Sequence, residues 1–369
     1  MAKRYSGQLN IKRIVAVLIV LLAVAAGVFA LLWILFGDSE AELSYSQLSI
    51  ESGKDYRVGD GTISYVADSR LTYYSVSDKK SRATALNAEV DGYAVRNDTI
   101  VLYDGGMLHI EGANAVQLVG TVREVRMGKD YIAALHTNEQ GLNSIVIFDY
   151  QGNMVSSAPL DFSDSKVTNF DFYTENGREL LWVVSVETEQ STPVTTVKMY
   201  DYGAGGSISN LAPFYDQSVE KLYFTEDSIF VVGTQDIVRY AISGGREKYR
   251  VNIYGNKVID MVTSEGTATF LLAPRNETTW NTLRIIRTTE TDEATTTIRQ
   301  YSVPEPIIGA YLQDSGIRAV GQQNVYIFGY SGKLLNTLQL KHVPQRVCKL
   351  NDTTLLLICE DGLYRTIVK

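Results

Sequence analysis

Ile147-Phe148-Asp149-Tyr150-Gln151-Gly152-Asn153-Met154 and Ile327-Phe328-Gly329-Tyr330-Ser331-Gly332-Lys333-Leu334 are the two stretches on which the reading of this chain turns. In each, an apolar run ends on an aromatic residue, a tight glycine-containing turn follows, and a second run closes on apolar residues. These second runs end at Leu160 and Leu340. Alternation around a short Gly, Asn or Asp turn is the signal of a β-hairpin. Weaker copies stand at 72–78, 199–203 and 239–244. Dense apolar runs precede the copies at 131–136, 180–186, 228–232 and 268–272, and another occupies 354–359. These read as strands buried near the middle of a sheet.

A unit of four short strands therefore recurs about every 30–50 residues, and no helix is expected after residue 55. That period is the sequence signature of propeller blades. The units run 55–87, 88–120, 121–161, 162–215, 216–255, 256–305, 306–341 and 342–369. The last holds three strands only, at 345–350, 354–359 and 363–368. Residues 43–50 (LSYSQLSI) alternate and can supply the fourth, closing a ring without open edges. The expected fold class is all-β, an eight-bladed β-propeller over 55–369, with seven blades as the other division. A sandwich array would need disulfides or a buried Trp as pins, and neither pattern is present. With 23 Tyr and only 7 Pro, the composition suits strands.

Residues 14–36 form 23 consecutive uncharged positions. A helix of that length is about 34 Å long and spans a hydrocarbon core of about 30 Å. Lys3, Arg4, Lys12 and Arg13 precede it, while Asp38, Glu40 and Glu42 follow. Positive charge stays inside, so 1–13 is expected to be a cytoplasmic tail, 37–54 a linker, and the propeller extracytoplasmic. A cleaved signal peptide would have an apolar region of only about 7–15 residues. Beyond residue 37 the chain carries 30 basic and 42 acidic side chains. Such a body repels polyanions, which argues against a nucleic-acid partner.

The turn signature at 148–153 and 328–333 resembles the blades of quinoprotein-like and WD40-like propellers, a group that includes dehydrogenases and non-catalytic envelope scaffolds. The whole arrangement of basic tail, single anchor and propeller resembles bacterial membrane-anchored propellers of unknown function, chiefly of Gram-positive type. The resemblance implies the fold and the cell-membrane location and carries over no active site. Quinone-dependent dehydrogenases of that group carry repeated docking Trp and often a vicinal cysteine pair. Here there are three Trp, one of them in the apolar stretch, and Cys348 and Cys359 are not adjacent.

No catalytic, cofactor-binding or metal-ligating residue is assigned, and no cofactor is expected. His109, His136 and His342 fall in different units without paired ligand spacing. The Asp-Gly pairs at 60–61, 91–92, 104–105 and 361–362 read as turns, since no alternating acids follow. The GAGG run at 203–206 lacks the helix that phosphate binding requires. Tight pairing at the 351–352 turn would set Cys348 opposite Leu355 and Cys359 near Pro344. The sulfurs would then lie about 13 Å apart, beyond the ~7 Å reach of a disulfide, so two free thiols are expected.

Three polar excursions, 187–194, 273–280 and 287–297, are long enough to present a partner surface. Trp280 is the expected aromatic anchor among them. The functional expectation is a membrane-anchored, non-catalytic interaction platform for an envelope protein or wall polymer. The alternatives are a glycan-processing enzyme with carboxylates gathered at the axis, and an accessory subunit of a secretion or cell-division complex.

Overall fold

The structure, a computed structural model, describes residues 43–368 apart from 52, 60, 87–89, 156–158, 176, 188–191, 203–205, 212, 243–244, 290–295 and 314. The apolar stretch 14–36 and the basic residues Lys3, Arg4, Lys12 and Arg13 lie outside the described residues. No helix among the described residues is long and apolar enough to cross a membrane.

Among the described residues, 32 strands pair antiparallel into seven sheets: five of four strands, one of five and one of seven. The seven-stranded sheet is two four-stranded groups that share Thr296–Gln313. Residues 296–302 pair with Trp280–Thr289, and residues 307–313 pair with Gly316–Gly321. The sequence places a break at 305/306, beside Pro304 and Pro306, but the chain stays extended there. Proline holds φ near the extended range and needs no ladder partner where the strand changes neighbours.

Every group follows one course: a first strand against the first strands of its neighbours, then three strands stepping outward to the rim. Second strands are the most deeply buried; Ser228–Gly233, Gly316–Gly321 and Thr354–Cys359 are buried at every position. The apolar runs at 228–232 and 354–359 lie in two of them. Fourth strands such as Lys80–Ala85 are mostly exposed. Eight clusters of buried side chains each join one group to the next. One of them packs Ile63 and Tyr65 of the first group on Leu356 and Ile358 of the last, which makes the arrangement a closed ring. Full burial of one such side chain contributes about 1.5–3 kcal/mol.

Ser44–Gln47 completes the last sheet by pairing antiparallel with Gly362–Ile367. Leu43 and Leu48 flank this strand. The first packs between the seventh and eighth groups, the second between the eighth and the first.

The repeated turn has one backbone geometry in its two clearest copies. Asp149 N bonds Asn153 O at 2.9 Å and Gly152 N bonds Asp149 O at 3.1 Å. Gly329 to Lys333 and Gly332 to Gly329 repeat this, both at 3.0 Å. Gly152 and Gly332 sit at φ 85° and 93°, where a side chain would be strained.

Six first strands slip by one residue near their start, after Val122, Val167, Val219, Val258, Ile307 and Pro344. Such a bulge re-aims the side chains that follow it. A related slip corrects the cysteine register: a bulge between Lys349 and Asn351 sets Cys348 opposite Leu356, while Cys359 faces Pro344. Both cysteines are free.

Trp280 requires a larger correction. It is no loop anchor but the first residue of a strand, 8% exposed, packed with Leu283, Ile307 and Phe328. Its indole N–H donates to Glu277 O at 3.0 Å, and the Lys257 amine lies 5.4 Å from its ring. The register slips between Trp280 and Thr282, so Trp280 and Leu283 share a core despite their odd spacing.

Candidate functional site

The first strands bring polar residues to the axis of the ring. The residues after the six bulges are Glu124, Asn169, Lys221, Asp260, Gly309 and Arg346. A cavity of about 210 Å3 is bounded by Arg57, Tyr93, Tyr103, Glu124, Arg126 and Asp171. Arg57 donates to Tyr93 O at 2.9 Å, and its guanidinium lies 4.3 Å from that ring's centre. Arg126 sits 2.5 Å from the Glu124 carboxylate.

A second network joins other first strands. Asp260 Oδ2 accepts from Leu312 N at 2.8 Å and from Lys349 Nζ at 3.3 Å. Burial, reinforced by Lys349 and opposed by Asp260, holds the Lys221 amine below its ordinary value. Burial likewise pushes the Tyr223 and Tyr311 phenols up. Carboxylates at the axis are thus interleaved with cations. Among the described residues no group of three His, Cys, Asp or Glu could hold a metal ion.

The surface is organised by the even strand number. Four strands return the chain to the face it left, so every outer-to-inner link and every second-to-third turn lies on one face, here called the connection face. Its four most exposed large apolar side chains are Val119 at 71%, Tyr254 at 64%, Val343 at 61% and Tyr215 at 60%. All four lie in or beside outer-to-inner links, and they are the most exposed large hydrophobics among the described residues. They stand in four separate links of this face, and Met154 and Leu335 are exposed on the opposite one.

Shallow grooves open on the same face over the third and fourth groups. One of about 390 Å3 is lined by Asp161, Ser163, Ser185, Glu187, Thr196 and Lys198. Its neighbour of about 320 Å3 shares Glu187, Thr196 and Lys198 and reaches Val194 and Tyr215. The excursion at 187–194 therefore begins and ends at these grooves, and its central residues lie outside the described ones. The tip of the excursion at 287–297 also lies outside them.

His342 is part of a built cluster on this face. It stacks on Tyr364 with ring centres 3.6 Å apart, and its Nδ1 lies 3.0 Å from Asp361 Oδ2. The Tyr364 hydroxyl donates to the same oxygen at 2.9 Å. These bonds, Tyr364 first, hold the Asp361 carboxyl below its ordinary range. His136 is buried, 2.6 Å from Val119 O and 3.4 Å from Ser144 Oγ, while His109 is exposed on its strand. The three histidines are not brought together. Trp280 is buried at a strand start, whereas Tyr215, Tyr254 and Val343 are the exposed apolar residues of the links. Their signal was an apolar residue in a short link, which is also the signal of a core residue at a strand end.

No family model matches the chain, and no curated protein matches it. Solved structures do. The computationally designed Ika8 protein is 12% identical, with 88% of this chain and 98% of that chain covered and a TM-score of 0.52. The WD40 domain of SCAP from fission yeast is 10% identical, with 89% and 98% covered and a TM-score of 0.57. At such identities the likeness concerns the fold alone. With the closed ring of four-stranded groups, it establishes a WD40-like β-propeller.

Proposed function

We propose that this chain is a single-pass, membrane-anchored propeller of eight blades that serves, outside the cytoplasm, as a non-catalytic interaction platform for an envelope protein or wall component. The blade number rests on eight four-stranded groups with eight apolar seams, two groups sharing one continuous strand. The anchor rests on 14–36 and on the placement of Lys3, Arg4, Lys12 and Arg13 before it.

The observation that carries the platform reading is the concentration of exposed Val119, Tyr215, Tyr254 and Val343 on the connection face. WD40-type propellers generally work by presenting such loops on a rigid ring, and fold alone does not name the partner. An accessory role in a secretion or division complex is the same reading with a machine as partner. A glycan-processing hydrolase would use two carboxylates flanking a sugar. The pairing of Glu124 with Arg126 and of Asp260 with Lys349 favours the platform instead.

The test is affinity purification from crosslinked native membranes with the anchor intact. A reproducible envelope component that is lost from a Tyr215→Ser/Tyr254→Ser variant supports the platform. Unchanged recovery from that variant refutes the assignment of the face. Turnover of a cell-wall glycan by the purified chain would replace the platform with the hydrolase.

A further inference from the structure

We propose that the axis of the ring holds a binding site for a small oxyanion, a phosphate or a carboxylate, with Lys221 and Tyr223 as its donors. What carries it is that these two donors, on one first strand, find no acceptor in the protein. The site stands whether or not the chain is anchored in a membrane.

Lys221 and Tyr223 lie two residues apart on Val219–Phe224, the first strand of the fifth group, beyond its bulge. Alternate residues of a strand project to one side, so both side chains leave it together. The Tyr223 hydroxyl is buried without a hydrogen-bond partner. The Lys221 ammonium makes no hydrogen bond or ion pair with the described residues and lies 4.5 Å from the centre of the Tyr223 ring. A ring face attracts a cation but is a weak substitute for oxygen acceptors on its three N–H bonds. Lys221 is open to solvent, and yet burial is the largest cause holding its amine below the ordinary value. A side chain that water reaches while protein surrounds it stands in a channel.

The groups around this pair are already engaged elsewhere. Asp260 Oδ1 accepts from Met261 N at 2.9 Å, and its Oδ2 accepts from Leu312 N at 2.8 Å and from Lys349 Nζ at 3.3 Å. Lys349 directs its other N–H bonds to Leu312 O at 3.2 Å and to the Asp352 carboxylate at 3.3 Å. The Tyr311 hydroxyl donates to Val347 O at 2.5 Å, and Arg346 donates to Tyr56 O at 3.3 Å. Asp260 therefore acts on Lys221 through its charge alone, opposed by the charge of Lys349.

Charge and donor type then state what the pair can accept. The eight first strands carry nine Lys and Arg against five Asp and Glu, while the chain beyond residue 37 carries 30 against 42. The axis thus gathers positive charge inside an acidic molecule, and an anion is drawn to it. An ammonium has donors only and a phenol offers its O–H, so the missing group is an acceptor. The charge of Lys221 selects an anionic one, and bonds to it are of the stronger, charge-assisted kind. Two oxygens of one carboxylate or phosphate can meet both donors. The same ammonium repels a metal cation.

The experiment is calorimetric titration of the purified full-length chain at constant ionic strength, with inorganic phosphate, sulfate and acetate as probes and chloride as the balancing salt. The wild-type chain is expected to bind phosphate or acetate. Lys221→Met is expected to weaken that binding about tenfold or more, and Tyr223→Phe by a smaller factor. Lys333→Met, at an exposed lysine of an outer turn, should leave it unchanged. Tighter binding of phosphate and sulfate assigns a tetrahedral oxyanion to the site, and tighter binding of acetate assigns a carboxylate.

Both variants should fold, because neither loses a partnered group, and urea unfolding without added oxyanion should place them at or above wild type. With the bound probe present the wild-type midpoint should rise, while that of Lys221→Met stays where it was. Failure of all three probes to bind overturns the site. Binding undiminished in Lys221→Met marks an adventitious ion only and overturns it as well. A Lys221→Met chain destabilised without oxyanion would show that the amine has a partner within the protein, which also overturns it.

Discussion

Ring closure by Ser44–Gln47 makes a quantitative prediction at Leu43 and Leu48. Both side chains are buried, and they sit in different seams on either side of the last group. Truncating one buried Leu to Ala costs about 2–5 kcal/mol through lost transfer energy and the residual cavity. The two leucines share no cluster, so the double variant Leu43→Ala/Leu48→Ala is expected to lose roughly the sum, about 4–10 kcal/mol. That is comparable with the whole stability of a typical domain, about 5–15 kcal/mol. Ser44 and Ser46 lie on the same strand and are exposed, so Ser44→Ala/Ser46→Ala should stay within about 0.5 kcal/mol. Urea unfolding followed by the fluorescence of buried Trp182 and Trp280, in the fourth–fifth and sixth–seventh seams, reads both variants. A double leucine variant within about 1 kcal/mol of wild type would refute closure by this strand.

Further outcomes follow from single buried groups. Glu179 is buried and accepts the backbone N–H groups of Lys129, of Asp130 at 2.8 Å and of Tyr131 at 3.1 Å, stapling the third group to the fourth. Glu179→Ala should cost about 2–4 kcal/mol in urea unfolding, because the donors lose a charged acceptor inside the fold. Trp280→Ala should destabilise by about 3–5 kcal/mol while leaving partner recovery from the folded fraction unchanged; selective loss of the partner would restore the anchor reading. Burial pushes the Tyr240 phenol from 10.0 up to about 12. The unfolded chain then ionises first, so stability present below pH 10 falls as pH rises through 12. The Tyr240 hydroxyl is buried without a partner, so Tyr240→Phe should hold or gain up to about 1 kcal/mol at neutral pH and soften the alkaline loss. Equal alkaline loss in both proteins would contradict this.

The fold was readable because its signals are local and repeated. Alternation around Gly152 and Gly332 announces hairpins, and the last sequence unit, three strands long, is completed by Ser44–Gln47 as the alternation of 43–50 suggested. What was not readable depends on bulges and on neighbours. An extra residue after Val122 or Val258 shifts side-chain parity without any composition signal, and it is these bulges that precede Glu124 and Asp260 at the axis. The same effect hid Trp280, whose polar flanks suggest a loop while the slip after it brings it to Leu283. The unit boundary at 305/306 falls where the chain merely exchanges partners within one continuous strand. The connection face could not be found from sequence alone, because it is assembled from separate links that only the ring brings to one side.

The most direct test of the interaction-platform account compares two sets of surface variants in crosslinked native membranes. One carries Val119→Ser, Tyr215→Ser, Tyr254→Ser and Val343→Ser; the other carries Met154→Ser and Leu335→Ser on the opposite face. All six positions are exposed, so the ring should fold in both. The account predicts that the first set loses the envelope component and the second retains it. Retention by the first set, or loss from both alike, would contradict it.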